Sequence, residues 1–206
     1  MHSPRILIVY GTSYGQTARI ANRLHRLLFE RGFDVTLLDG GALPADLCPV
    51  DYDGVLVGAS MIMRGYQKDI GTFVRRHAAV LNAGPSAFFA VSGSAGSKNP
   101  LERAEAHRRM DAFCREAGWH PVLAVSLAGA IAYTRYNVLL RWVMKRISRK
   151  EGGSTDTSRD HEYTDWTQVE QFAAEFAERV DEAVLRARGE PPHVATGTPE
   201  RERAHA

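Results

Sequence analysis

The stretch Arg5–Leu24, RILIVYGTSYGQTARIANRL, decides how the rest of the chain is read. Ile6–Tyr10 is an apolar and aromatic run without alternation, which predicts a strand buried on both faces. From Thr17 to Arg31 the apolar positions Ile20, Leu24, Leu27 and Leu28 recur at helical spacing, and Gly32 follows as a helix-ending residue. The loop between strand and helix, GTSYGQT, offers the hydroxyls of Thr12, Ser13 and Thr17. The backbone N–H groups of Ser13, Tyr14, Gly15, Gln16 and Thr17 can converge there beside the positive end of the helix. Gly15 permits close backbone approach. The loop has no lysine, so it is not the G-x-x-x-x-G-K-[ST] nucleotide loop, and it is not G-x-G-x-x-G. A single phosphate bound by neutral donors suits this chemistry. The same residues also suit a plain strand-to-helix turn with a hydroxyl N-cap, and the loop by itself leaves both readings open.

Working outward, short apolar runs alternate with helical patterns, which predicts an α/β fold. Val35–Asp39 is a second strand, and Gly40–Asp51, with two prolines, is too broken for a long helix. Tyr52–Ser60 is a third strand, Lys68–Leu81 a helix, and Pro85–Ser92 a fourth strand. Leu101–Ala117 is helical, Pro121–Gly129 a fifth strand, and Trp166–Ala187 the last helix. Five strands with helical crossovers fit a doubly wound parallel sheet of order 2-1-3-4-5, helices on both faces, and flavodoxin is a known example of that order. Right-handed crossovers gather GTSYGQT, SMIMRGY and SGSAGSKN at one carboxyl edge, lining one crevice. Residues 1–188 read as one domain with an insertion at 130–165, and 189–206 as a disordered tail rich in proline and charge.

Composition bounds the function. The 206 residues carry a net charge of +2, which gives no global pull toward nucleic acid. Cys48 and Cys114 lack metal or redox spacing and read as reduced thiols, and the scattered histidines predict no metal site. The apolar runs fall short of the roughly 20 residues of a membrane span, and the first strand begins by Arg5. A cytoplasmic protein, soluble or peripheral, is therefore expected. His107 and His120 are lone histidines and read as surface or packing residues.

The loop YGTSYGQTARIA resembles the FMN phosphate loop of flavodoxins. DYDGVLVGAS, FVRRHAAVLNAGPSAFFAV, AGAIAYTRY, GGSTDT and YTDW, in that order, resemble the menaquinone-dependent, flavodoxin-like protoporphyrinogen oxidases of bacteria. The resemblance covers about residues 5–180. It implies a flavodoxin fold with non-covalent FMN, oxidation of protoporphyrinogen IX to protoporphyrin IX in haem biosynthesis, and electron transfer to menaquinone or another membrane quinone. By the same resemblance Thr12, Ser13, Tyr14, Gly15, Gln16 and Thr17 bind the phosphate. Ser60, Met61, Ile62, Met63, Arg64 and Gly65, with Ser92, Gly93, Ser94, Ala95 and Gly96, flank the flavin ring. The family's loop after strand three usually reads Ser-x-Arg-Tyr-Gly, whereas this chain has SMIMRGY, with the arginine shifted and the tyrosine after the glycine. The loop after strand four is richer in glycine and serine than the family's more basic version.

The insertion contains Asn137–Lys150, NVLLRWVMKRISRK, with five basic residues and no acids. As a helix it puts Leu139, Leu140, Val143, Met144 and Ile147 on one face, Arg141, Lys145 and Arg149 opposite, and Trp142 near the polar side. Such a helix can pack on its own domain with a solvated basic face. It can also lie on an anionic bilayer on the inner side of the cell membrane, or attract porphyrinogen carboxylates. Arg135 and Tyr136 are substrate contacts by resemblance. GGSTDT and YTDW read as the return to the sheet, with Thr164 or Asp165 capping the last helix. A homo-oligomer is compatible with this reading. The rival readings are a flavodoxin-like electron carrier, disfavoured by the pI near 8.6, a general FMN quinone reductase, and a flavin-free membrane module.

Overall fold

The computed structural model describes residues 3–61, 65–131, 156–158 and 160–190. The predicted helix over the inserted stretch 137–150, with Arg135, Tyr136, Arg141, Trp142, Lys145 and Arg149, lies outside the described residues, as do Ile62, Met63 and Arg64. The tail beyond residue 190 lies outside them too.

Five strands, β1 (Arg5–Gly11), β2 (Asp34–Asp39), β3 (Gly54–Ser60), β4 (Ser86–Ser92) and β5 (Leu123–Ala128), form one all-parallel sheet in the order β2-β1-β3-β4-β5. The order is the one expected from the alternation of apolar runs and helices. Among the described residues four helices cover it: α1 (Gln16–Glu30), α2 (Lys68–Ala83), α3 (Pro100–Glu116) and α4 (Trp166–Ala187). The stretch 40–51 holds two short 3₁₀ turns, consistent with its prolines.

Alternation along buried strands sorts the core into two layers. Ile6, Ile8, Leu56, Phe89 and Leu127 pack with Ile20 and Leu24 of α1 and Phe172 and Phe176 of α4. Leu7, Val9, Val57 and Phe88 point the other way, onto Ile70 and Phe73 of α2, Met110 of α3, and Trp119. Each large side chain so buried contributes about 1.5–3 kcal/mol relative to exposure. Both faces are therefore closed, and the open groups of the sheet lie at its ends. Close packing leaves no room at Gly58, where a Cβ would lie 2.0 Å from the Phe89 ring.

A sixth and seventh strand were not expected from the sequence. β6 (Ala130–Ile131) and β7 (His161–Glu162) pair antiparallel, with Ala130 opposite Glu162 and Ile131 opposite His161. Two-residue strands carry too little periodicity to be legible. This ladder is the stem at which the inserted segment leaves and rejoins the domain.

Candidate functional site

The carboxyl edge of the sheet carries the loops after β1, β3, β4 and β5, because all the strands run parallel. In the first loop Gly15 stands at φ 95°, a left-handed conformation suited to glycine, and no side chain caps α1. Thr12 accepts from the Gly15 N–H through Oγ1 (3.0 Å), so its hydroxyl closes the loop and leaves the helix start alone. The plain turn with a hydroxyl N-cap is thereby corrected. The first turn of α1 also holds no acidic residue. Thr17 in that turn is 1% exposed, and its hydroxyl is buried without a hydrogen-bond partner. Such a group costs about 1–3 kcal/mol unless something accepts from it. An uncapped helix start and a stranded hydroxyl at the same point form a polar cradle that wants an anion.

Two clasps hold the cradle. Gln67, just before α2, donates through Nε2 to Ser13 Oγ (3.0 Å) and to Ser60 Oγ, and its Oε1 accepts from the Ser60 N–H (3.1 Å). It thus joins the loop after β1 to the loop after β3. On the other flank Gln16 is 8% exposed, and its Nε2 donates to Glu162 Oε1 (2.7 Å) and Thr164 Oγ1 (2.8 Å). Thr164 in turn donates to the Ala128 carbonyl at the end of β5 (2.8 Å). Arg19 pairs with Glu162 Oε2 (3.1 Å) and lies over the Trp166 ring. Sequence reasoning missed Gln67, one residue beyond the loop it singled out. It also missed Glu162, for which no local signal exists. Of Thr164 and Asp165, the latter caps α4, its carboxylate accepting from the Thr167 and Gln168 N–H groups.

In the loop after β3, the Met61 N–H bonds to the Val91 carbonyl (2.8 Å), which sets the loop beside β4. Gly65 is exposed. Tyr66, displaced in sequence relative to the family pattern, packs its ring against Phe88 and Phe113. Burial pushes its phenol pKa well above the usual value, and the hydroxyl has no partner. After β4, Ser92 accepts from the Ala95 N–H through Oγ (3.1 Å), and Ser94–Gly96 form a 3₁₀ turn with Gly93 before it. Gly96 sits so near Ala128 that a Cβ would come within 2.9 Å of that side chain. The structure therefore brings the described parts of all three predicted loops to one edge. It turns the Gln16 side chain toward β7 and the Thr12 hydroxyl into its own loop. His107 and His120 are exposed, away from this edge.

The sheet order is that of the flavodoxins, and the flavodoxin domain family matches residues 7–158. Among solved structures, oxidised flavodoxin 1 from Bacillus cereus aligns over 84% of this chain and 97% of its own, with a TM-score of 0.52 at 17% identity. The flavodiiron protein from Giardia intestinalis aligns over 91% of this chain and 38% of its own, with a TM-score of 0.56 at 13% identity. These likenesses concern the fold. The protoporphyrinogen IX dehydrogenase [quinone] of Escherichia coli (strain K12) is 34% identical over 183 residues, covering 88% of this chain and 99% of that protein. The protein of the same name from Leishmania major is 34% identical over 179 residues, 85% of this chain and 75% of that one.

The chain belongs to the family of quinone-dependent protoporphyrinogen IX dehydrogenases. The flavodoxin domain makes FMN its cofactor. The cradle fits that group: its stranded Thr17 hydroxyl and uncapped first turn suit one phosphate, and the loop has no lysine for phosphoryl transfer.

Proposed function

We propose that this chain oxidises protoporphyrinogen IX to protoporphyrin IX and passes the electrons to a membrane quinone such as menaquinone. The observation that carries the reading is the buried, unpartnered Thr17 hydroxyl at an uncapped helix start, in a chain collinear with its named relatives. FMN supplies the two-electron redox chemistry when bound. The protein's part is binding and placement. Thr17 and the N–H groups of the first turn of α1 hold the phosphate, with Ser13 and Gly15 shaping the loop around it. Ser60, Met61 and Gly65 on one side and Ser92–Gly96 on the other flank the ring.

Substrate contacts and the membrane face are assigned to the inserted segment, with Arg135, Tyr136, Arg141, Trp142, Lys145 and Arg149 as the groups that meet porphyrinogen carboxylates or anionic headgroups. No described helix is long and apolar enough to cross a membrane. A basic surface near an anionic bilayer gains about 1 kcal/mol per Lys or Arg, enough for several to hold a peripheral protein at the inner leaflet.

The test is anaerobic incubation of the FMN-loaded protein with protoporphyrinogen IX and a menaquinone analogue, followed by porphyrin fluorescence. Fluorescence should rise only when the quinone is present. A rate equal to the spontaneous background would overturn the assignment.

A further inference from the structure

We propose that Glu162, on the returning strand β7, and Thr164, two residues beyond it, are positioning residues for the FMN phosphate, acting through Gln16. The inference rests on the FMN reading above and goes beyond it, because neither residue belongs to the phosphate loop. Gln16 is the first residue of α1, and its N–H stands among the donors of the open helix start. Its side-chain amide is nearly buried, and both protons of Nε2 are spoken for, by Glu162 Oε1 and Thr164 Oγ1. A side chain held at two points leaves its backbone little freedom, so the direction of the first-turn N–H groups is set from outside the loop.

The latch is itself anchored. Thr164 accepts from Gln16 while its own proton goes to the Ala128 carbonyl at the end of β5, so the hydroxyl is held from both sides. The Tyr163 N–H bonds to the Gly129 carbonyl (3.1 Å), which holds the same segment to the sheet edge. Charge matters too. A bare carboxylate next to a phosphate site would repel the ligand, but Glu162 is paired with Arg19 at 3.1 Å. Arg19 also approaches Gln16 Oε1 (3.4 Å), so the remaining acceptor of the amide is engaged. The arrangement fixes the amide without placing a net negative charge at the helix start.

The measurement compares FMN with riboflavin, which lacks the phosphate, by quenching of flavin fluorescence on the intact chain. Thr164→Ala should weaken FMN binding about tenfold, the effect of one well-placed hydrogen bond. Riboflavin binding should stay within about twofold. Thr164→Ser keeps the hydroxyl and should restore FMN affinity. In a Gln16→Ala background the Thr164→Ala change should add less than about twofold, because its route to the phosphate is gone. Equal losses for FMN and riboflavin would mean general loosening and would overturn the proposal. So would unchanged FMN affinity, failure of the serine variant to rescue, or full additivity with Gln16→Ala. A wild-type chain that binds riboflavin as tightly as FMN would instead defeat the phosphate-loop reading, and the proposal with it.

Discussion

The two flanks of the phosphate loop are held in different ways. On one side Gln67 reaches Ser13, in the loop just after β1, and Ser60, the last residue of β3, and the pairing of β1 with β3 already puts these two strand ends side by side. On the other side Gln16 depends on Glu162 and Thr164, which are about 150 residues away in the chain and arrive only after the insertion has been closed by β6 and β7. The first clasp follows from strand pairing within the core. The second requires the C-terminal part of the chain to come back. A loop that looks N-terminal and local, and that we propose holds the cofactor phosphate, is thus held by both ends of the domain.

The strongest challenge to this contrast is to remove the insertion while keeping its stem. Ile131 faces His161 across an antiparallel pair, so an Asn-Gly turn can replace residues 132–160. FMN should still bind, because the latch is retained, while porphyrinogen oxidation is lost. Loss of FMN binding, measured by fluorescence quenching, would show that the far flank needs more than its stem. Next in size, Thr17→Val removes the stranded hydroxyl at the centre of the cradle. FMN affinity should fall by about tenfold to a hundredfold, while the flavin-free protein melts no lower, since that hydroxyl has no partner to lose.

A smaller effect separates the flanks directly. Gln67→Ala should weaken FMN and riboflavin together, about tenfold each, because it frees both the phosphate loop and the loop beside the ring. That pattern contrasts with the phosphate-selective loss expected at Thr164. If Gln67→Ala proved selective for FMN, the two flanks would be equivalent after all.

The mildest test leaves both flanks alone and loads the core beneath them. Burial pushes the Cys114 thiol up to about 12 from an ordinary 9.0. The unfolded chain therefore ionises this thiol before the folded chain does. Its contribution to stability is complete below about pH 9 and is lost as pH rises toward 12. Denaturant melts at rising pH should show that decline, less steep in Cys114→Ala. At pH 8 a thiol reagent should label exposed Cys48 and spare Cys114 until the chain unfolds.

Much of this was legible in the residues. Ile6–Tyr10 was readable as a doubly buried strand because both faces are apolar, the strand expected over Tyr52–Ser60 forms over Gly54–Ser60, and helix α4 begins at Trp166 and ends at Ala187 as its periodicity predicts. The phosphate loop was legible for its hydroxyls and glycines. Its interior arrangement was not: the hydroxyls suited an N-cap as well as a phosphate cradle, and only the folded geometry shows that no side chain caps the helix and that Thr12 closes the loop.

The sequence by itself determined the sheet order and the edge at which the cofactor loops gather, since hydrophobic periodicity and crossover handedness are properties of the chain. It also excluded the phosphate loops that need a lysine or a triple-glycine turn, and left a single-phosphate cradle and a plain turn both open. Tertiary structure decided which groups remain open for that phosphate and what holds them. Thr17 is left without a partner while Gln16 is taken up by Glu162 and Thr164. Hydrogen bonds between side chains so far apart have no period and no spacing to read, and they exist only once α4 has packed against α1 and brought the returning strand to the edge of the sheet.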